Sequence, residues 1–176
     1  MSDHFANFKS WYTEVLAKLY TDRNTGLVVF MISFPLVERY LRQKSGLDPN
    51  QDLSNQFMNE FRKIFPVLRD DAMARQFWNV YRNGFLHQAA LSRSTRRGAL
   101  PAGALTHDIS DAIKLERDGS FLVNPVLFSQ RIVREIEEDF STFVGANSTA
   151  PAFPTVVLHV LPVAGTTVQQ TVLKTN

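Results

Sequence analysis

The chain contains no cysteine. That excludes disulfide bonds, thiolate metal sites and a cysteine nucleophile, and it fits a cytoplasmic protein. It has four histidines. Three of them, His4, His107 and His159, are scattered and suggest no metal site, and no cofactor is expected. There is no Gly-rich phosphate-binding loop and no Gly-x-Ser-x-Gly elbow. The opening Met1-Ser2-Asp3-His4 lacks the charged-then-apolar pattern of a secretory signal. The most apolar run, residues 26–37, is too short and too closely flanked by charge to span a bilayer, so no membrane partner is expected. Net charge is only +2, which removes a global nucleic-acid footprint. No internal repeat and no long low-complexity segment occurs.

What remains is an ordinary globular composition. The 176 residues are 44% hydrophobic and 20% charged, enough for one domain with a substantial core. Fourteen Phe point to a core rich in aromatics. Apolar residues recur at three-and-four spacing over residues 4–20, predicting an amphipathic helix. A second helix is expected over 27–44. Its first half is apolar on every side and so central in a bundle, and Pro35 should kink or break it. A third covers 53–64, ended by Pro66. A fourth runs from about 69 to 91, with Asp70 and Asp71 suited to its N-terminal dipole.

Residues 92–103 read as a linker. Beyond it the period changes. Asp118-Gly119 between two apolar runs predicts a β-hairpin over 111–123. Asn124-Pro125 then opens a fifth helix, to about 144, with Asn124 as cap. Two β-like runs, 155–161 and 167–174, make the tail a hairpin or strand pair. The expectation is a mainly α fold: an up-and-down bundle of four or five helices with a β-hairpin near 111–123 and a β-rich C-terminal tail. Residues 1–145 form the helical domain. Residues 146–176 form the tail, packing on that domain or on a partner protomer.

One stretch interrupts the apolar helical pattern with chemically capable groups: Trp78-Asn79-Val80-Tyr81-Arg82-Asn83-Gly84-Phe85-Leu86-His87-Gln88. A fixed cation, an amide and an imidazole lie within six residues, able to bind a phosphate and move a proton near neutral pH. The surroundings are basic. Between Arg62 and Arg97 eight Arg and Lys face only Asp70 and Asp71. Arg75, Arg93, Arg96 and Arg97 are the candidate RNA contacts. Asn83 and His87 share a face of an ideal helix, whereas Arg82 and His87 lie about 140° apart round its axis.

The Arg82-Asn83-x3-His87 pattern resembles the signature of the HEPN superfamily, small helical domains with an Arg, usually followed by Asn, Asp or His, and a His four to six residues beyond the Arg. Many members are metal-independent ribonucleases. The resemblance implies a homodimer in which two motifs face each other. It also implies an RNA endonuclease using Arg82, Asn83 and His87 without metal, and an antitoxin partner if the chain acts as a toxin or in phage defence. The alternative is a non-catalytic module of the same fold that binds RNA or a nucleotide, or serves in dimerisation. Trp78, Tyr81 and Phe85 are expected in the core or a dimer interface rather than as base-stacking platforms.

Overall fold

Two hydrophobic periods, one helical and one of strand type, meet on a single core in this computed structural model, which describes residues 3–48, 50–82 and 103–145. The helix expected over 4–20 is present as α1 (Asp3–Phe8), a π-helical turn (Lys9–Thr13) and α2 (Glu14–Leu19). Phe8, Tyr12, Leu16 and Tyr20 recur every fourth residue and pack into the core. A spacing of four drifts about 40° per step on an ideal α-helix. The wider π turn absorbs part of that drift. Trp11 and Val15, which also follow the three-and-four spacing predicted over 4–20, are consequently 39% and 41% exposed.

Asp22 caps a short 3-10 turn (Arg23–Thr25) by accepting from the Asn24 amide at 2.8 Å. Helix α3 (Gly26–Lys44) follows directly. Pro35 neither ends nor interrupts it. Proline removes one donor from the helical ladder, but Pro35 and Met31, whose carbonyl loses that donor, both lie on the exposed side. The first half of α3 is also not buried all round, because Leu27, Val28 and Met31 face outward. Helix α4 (Asn55–Ile64) is capped by Ser54, which accepts from the Phe57 amide. It buries the expected Phe57, Met58, Phe61 and Ile64. Helix α5 (Asp71–Tyr81) is described as far as its C-cap, Arg82. The predicted continuation over 83–91 and most of the predicted linker lie outside the described residues.

The hairpin signal marks β2 (Ile113–Leu115) and β3 (Phe121–Val123), paired antiparallel, with Gly119 at φ 82° in the turn. A further strand, β1 (Gly103–Leu105), pairs parallel with β3, giving the order β1-β3-β2. Only its first residue, Gly103, falls within the predicted linker over 92–103, and three residues are too few to show an alternating period. The predicted β-rich tail lies outside the described residues. Asn124 caps α6 (Pro125–Glu138), as expected, accepting from the Val126 and Leu127 amides.

The helix predicted to run to 144 instead breaks at Asp139, and α7 (Phe140–Val144) follows at a new angle. Asp139 is held by Tyr40 Oη at 3.0 Å, Lys44 Nζ at 3.5 Å and Thr142 Oγ1 at 2.7 Å. The change of direction brings Phe140 onto Phe5 and Phe143 onto Phe8, with ring centroids 4.9 and 5.3 Å apart.

Helices α3 and α6 form the central layer. Ser33 and Ser129 meet between them at 2.7 Å, and Tyr20 Oη joins Ser129 at 2.7 Å, so the buried hydroxyls satisfy one another. Around them lies the expected aromatic core. Phe128 stacks on Phe65 at 4.8 Å and packs against Phe30 at 5.0 Å. Among the described residues no helix is long and apolar enough to cross a membrane.

Truncating Phe128 empties the middle of this core. Phe128→Ala is expected to lower unfolding free energy by about 3–5 kcal/mol in urea titration. A loss below about 1 kcal/mol would contradict the packing described.

The bend at Asp139 has a pH signature. Burial alone would raise its carboxyl pKa. Hydrogen bonds from Thr142 and Tyr40 and the Lys44 ammonium outweigh that and hold it below the usual aspartate range. A depressed carboxyl stabilises the fold above its unfolded value of about 3.9 and ceases to do so as pH falls through its folded value. Asp139→Asn should therefore lower the melting temperature at pH 7, with the deficit shrinking below about pH 4.

Candidate functional site

The site is built at the C-terminal end of α5. Asp70 starts that helix by accepting from the Met73 amide at 2.8 Å. Arg62 secures the preceding turn, pairing with Asp71 at 2.9 Å and donating to the carbonyls of Leu68 and Arg69. The inner face of α5 then buries Ala74, Phe77, Trp78 and Tyr81. Trp78 lies against Phe34, Phe57 and Phe61. Trp78 and Tyr81 are thus core residues and offer no stacking surface for a base.

Tyr81 fixes the last described turn of α5 against the sheet. Its hydroxyl donates to the Phe121 carbonyl at 2.9 Å and lies 3.2 Å from the Ala104 carbonyl, tying α5 to β3 and β1. Burial raises its pKa well above the usual phenol range, so it remains a neutral donor. Gly103 permits this approach. A Cβ there would lie 2.9 Å from the Tyr81 hydroxyl oxygen and 2.8 Å from Val80 Cγ1.

With Tyr81 anchored inward, the next residue, Arg82, turns outward, its side chain 38% exposed. Its Nε donates to Glu38 Oε2 at 3.2 Å. The other oxygen, Glu38 Oε1, accepts from Arg42 Nε at 3.1 Å and Nη2 at 3.0 Å. Arg42 Nη1 in turn holds the carbonyls of Asp48 and Gln51. The Arg42 and Glu38 side chains are only 11% and 16% exposed. One carboxylate therefore lies between two guanidiniums, leaving a net positive charge. Arg42 is fully engaged. Glu38 is the only side-chain partner of Arg82 among the described residues, through Nε, and both Nη groups of Arg82 remain uncommitted to them.

Of the predicted triad, only Arg82 falls within the described residues. Asn83 and His87 lie outside them, as do Arg93, Arg96 and Arg97 among the predicted RNA contacts. Arg75 is described, and its guanidinium braces the start of α4 through the Leu53 carbonyl at 3.1 Å and Asn55 Oδ1 at 2.7 Å. Glu38 and Arg42 escaped the sequence reading. Their one signal was a Glu–Arg pair four apart in a predicted helix, which looks the same as any solvated i,i+4 pair. His107 and Asp108, which had no predicted role, clasp the turn before α3. His107 Nε2 lies 3.1 Å from the Arg23 carbonyl, and Asp108 pairs with the Arg23 side chain at 2.9 Å.

Comparison of the chain with protein-family models, curated proteins and solved structures gives no match.

The two ends of the Arg82–Glu38 pair differ in what their loss leaves behind. Arg82→Ala removes a half-exposed cation and should cost under about 1 kcal/mol. Glu38→Ala strands the enclosed Arg42 without its counter-ion and should cost about 2–3 kcal/mol. Chemical denaturation of both variants decides this, and equal costs would refute the asymmetry.

Proposed function

We propose that this chain is a HEPN-type helical protein acting as a metal-independent RNA endonuclease through Arg82, Asn83 and His87. The observation that carries the reading is the motif's setting. Its first residue, Arg82, follows Tyr81 of α5 directly, with the guanidinium oriented through Nε by Glu38 while its Nη pair is uncommitted among the described residues. A guanidinium held in that manner presents a fork suited to a phosphate.

The chemistry follows from what those groups can do. An imidazole takes the proton of an RNA 2′-hydroxyl, and the oxygen attacks the adjacent phosphorus. Arg82 stabilises the charge on the pentavalent centre, and a second imidazole protonates the departing 5′-oxygen. Products are a 2′,3′-cyclic phosphate and a 5′-hydroxyl. Asn83 orients the imidazole or donates to a phosphate oxygen. One protomer brings one motif His, so the acid and base are His87 from two protomers across a dimer interface.

The exposed side of α3 supports such an interface. Leu27, Met31 and Pro35, four residues apart, make an exposed apolar stripe, and the largely enclosed Glu38 and Arg42 continue that side of the helix into the charged cluster at Arg82. A toxin–antitoxin or phage-defence setting belongs to this reading, with an antitoxin as second partner. The rival reading is a non-catalytic RNA- or nucleotide-binding or dimerisation module. What favours it is that Glu38 already neutralises part of the Arg82 charge.

RNA cleavage by the purified protein with a chelator present separates the two. Arg82→Ala and His87→Ala should each reduce the rate by about 10²–10⁴-fold. Cleavage that survives both changes, or that disappears with the chelator, overturns the mechanism. RNA binding without cleavage establishes the rival.

A further inference from the structure

A groove of about 700 Å³, lined by none of the residues of the Arg82 cluster, runs between the α4–α5 turn, the first ten residues of α6 and strand β2. Three features of it converge. The first is its wall. All three residues of β2, Ile113, Lys114 and Leu115, line it, as do residues 110–112 just before the strand. Side chains alternate across a sheet, so one face offers only every second residue. A continuous run means the groove follows the strand's edge. The order β1-β3-β2 leaves that edge without a neighbour among the described residues.

The ladder identifies which groups point there. Asn124 N donates to the Ala112 carbonyl and Glu116 N to the Ser120 carbonyl, and Lys114 pairs opposite Leu122. Residues 112, 114 and 116 therefore bond toward β3. In an antiparallel pair the alternate residues turn their N–H and C=O away. The backbone groups of Ile113 and Leu115 thus face the groove, at the two-residue spacing an added strand requires.

The second feature is an apolar floor. Val67, Leu115 and Leu127 line it and are only half-buried. The third is charge. Arg69, Lys114, Arg131 and Arg134 stand against a single lining carboxylate, Asp111. Lys114 pairs with Glu116 at 2.8 Å and Arg131 with Glu135 at 3.5 Å. The exposed side chains of Arg69 and Arg134 have no hydrogen-bond or ion-pair partner among the described residues.

We propose that this groove docks an extended acidic segment of another protein, which adds to β2 as an antiparallel or parallel strand. Alternate apolar side chains of the segment cover Leu115, Leu127 and Val67. Its carboxylates meet Arg69 and Arg134. A nucleic acid satisfies the cations but gains nothing from a half-buried apolar floor or a strand edge. The chain's own residues 146–176 contain no Asp or Glu and do not complement the charge.

Fluorescence polarisation with the full chain tests the proposal. The probes are a labelled (Glu-Val)4 peptide, its (Lys-Val)4 counterpart and a labelled 12-nucleotide single-stranded RNA. The acidic peptide should bind at least tenfold more tightly than the basic one. Arg69→Glu with Arg134→Glu should weaken it at least tenfold. Leu115→Pro removes an outward N–H without touching the β3 ladder, and should also weaken it. Thermal melts of both variants establish that they fold. If Leu115→Pro alone fails to fold, Leu127→Asp replaces it as the test of the floor. Equal binding of the two peptides, no binding of either, or RNA binding that the double reversal abolishes while Leu115→Pro leaves every probe unchanged overturns the proposal.

Discussion

The ring of Phe128 is the contact on which the rest of this fold depends. It leaves the first turn of α6 and meets Phe30 and Phe34 of α3, Phe65 beyond α4 and Phe77 of α5. Four elements distant in sequence thereby share one dry centre. Aromatic rings bury large areas while losing few rotamers, and edge and offset contacts add directional preference. Helix angles are set accordingly. Ser33 and Ser129 let α3 and α6 approach, and the rings fill what remains.

Apart from the buried Ser33–Ser129 pair, the polar chemistry described lies at the margins of that centre and is held by anchors inside it. Tyr81 is the clearest. Its buried hydroxyl satisfies strand carbonyls, which fixes the last turn of α5, and the next residue is Arg82. A half-exposed guanidinium would otherwise sweep a wide arc. Glu38 narrows it from one side, and Glu38 is itself immobilised by Arg42. The chain Arg42–Glu38–Arg82 thus converts rigidity at the α3 end into a defined position for a half-exposed cation. Single-carboxylate bridging of two cations also leaves the cluster with a net positive charge.

The small sheet plays two parts at once. Its β1 and β3 carbonyls receive Tyr81, so it supports the candidate site from within. Its β2 edge lies open to the groove beside α6, with backbone groups of Ile113 and Leu115 turned outward. A three-residue edge strand is short enough to avoid indiscriminate pairing. Cations along the groove make the edge selective by charge as well as by hydrogen bonding.

Local signals in the sequence were sufficient for most elements. The cap Asn124, the Asp118-Gly119 turn and the three-and-four apolar spacing act within a few residues, and they appear where expected; Ser54 and Asp70 cap α4 and α5 just as locally, though only a dipole role was expected of Asp70 and none of Ser54. Fourteen Phe likewise announced the aromatic core. Other features rest on contacts between distant residues. The π turn at Lys9–Thr13 matches a four-residue spacing to a core built by other helices. Pro35 sits inside α3 because its side faces water. The break at Asp139 needs Tyr40 and Lys44, and β1 needs β3. At the candidate site the sequence determined Arg82 and its spacing to Asn83 and His87. Only the tertiary structure decided that Glu38 holds Arg82, because that pair spans 44 residues. Such a contact leaves no local period or motif, and exists only once α3 and α5 have packed.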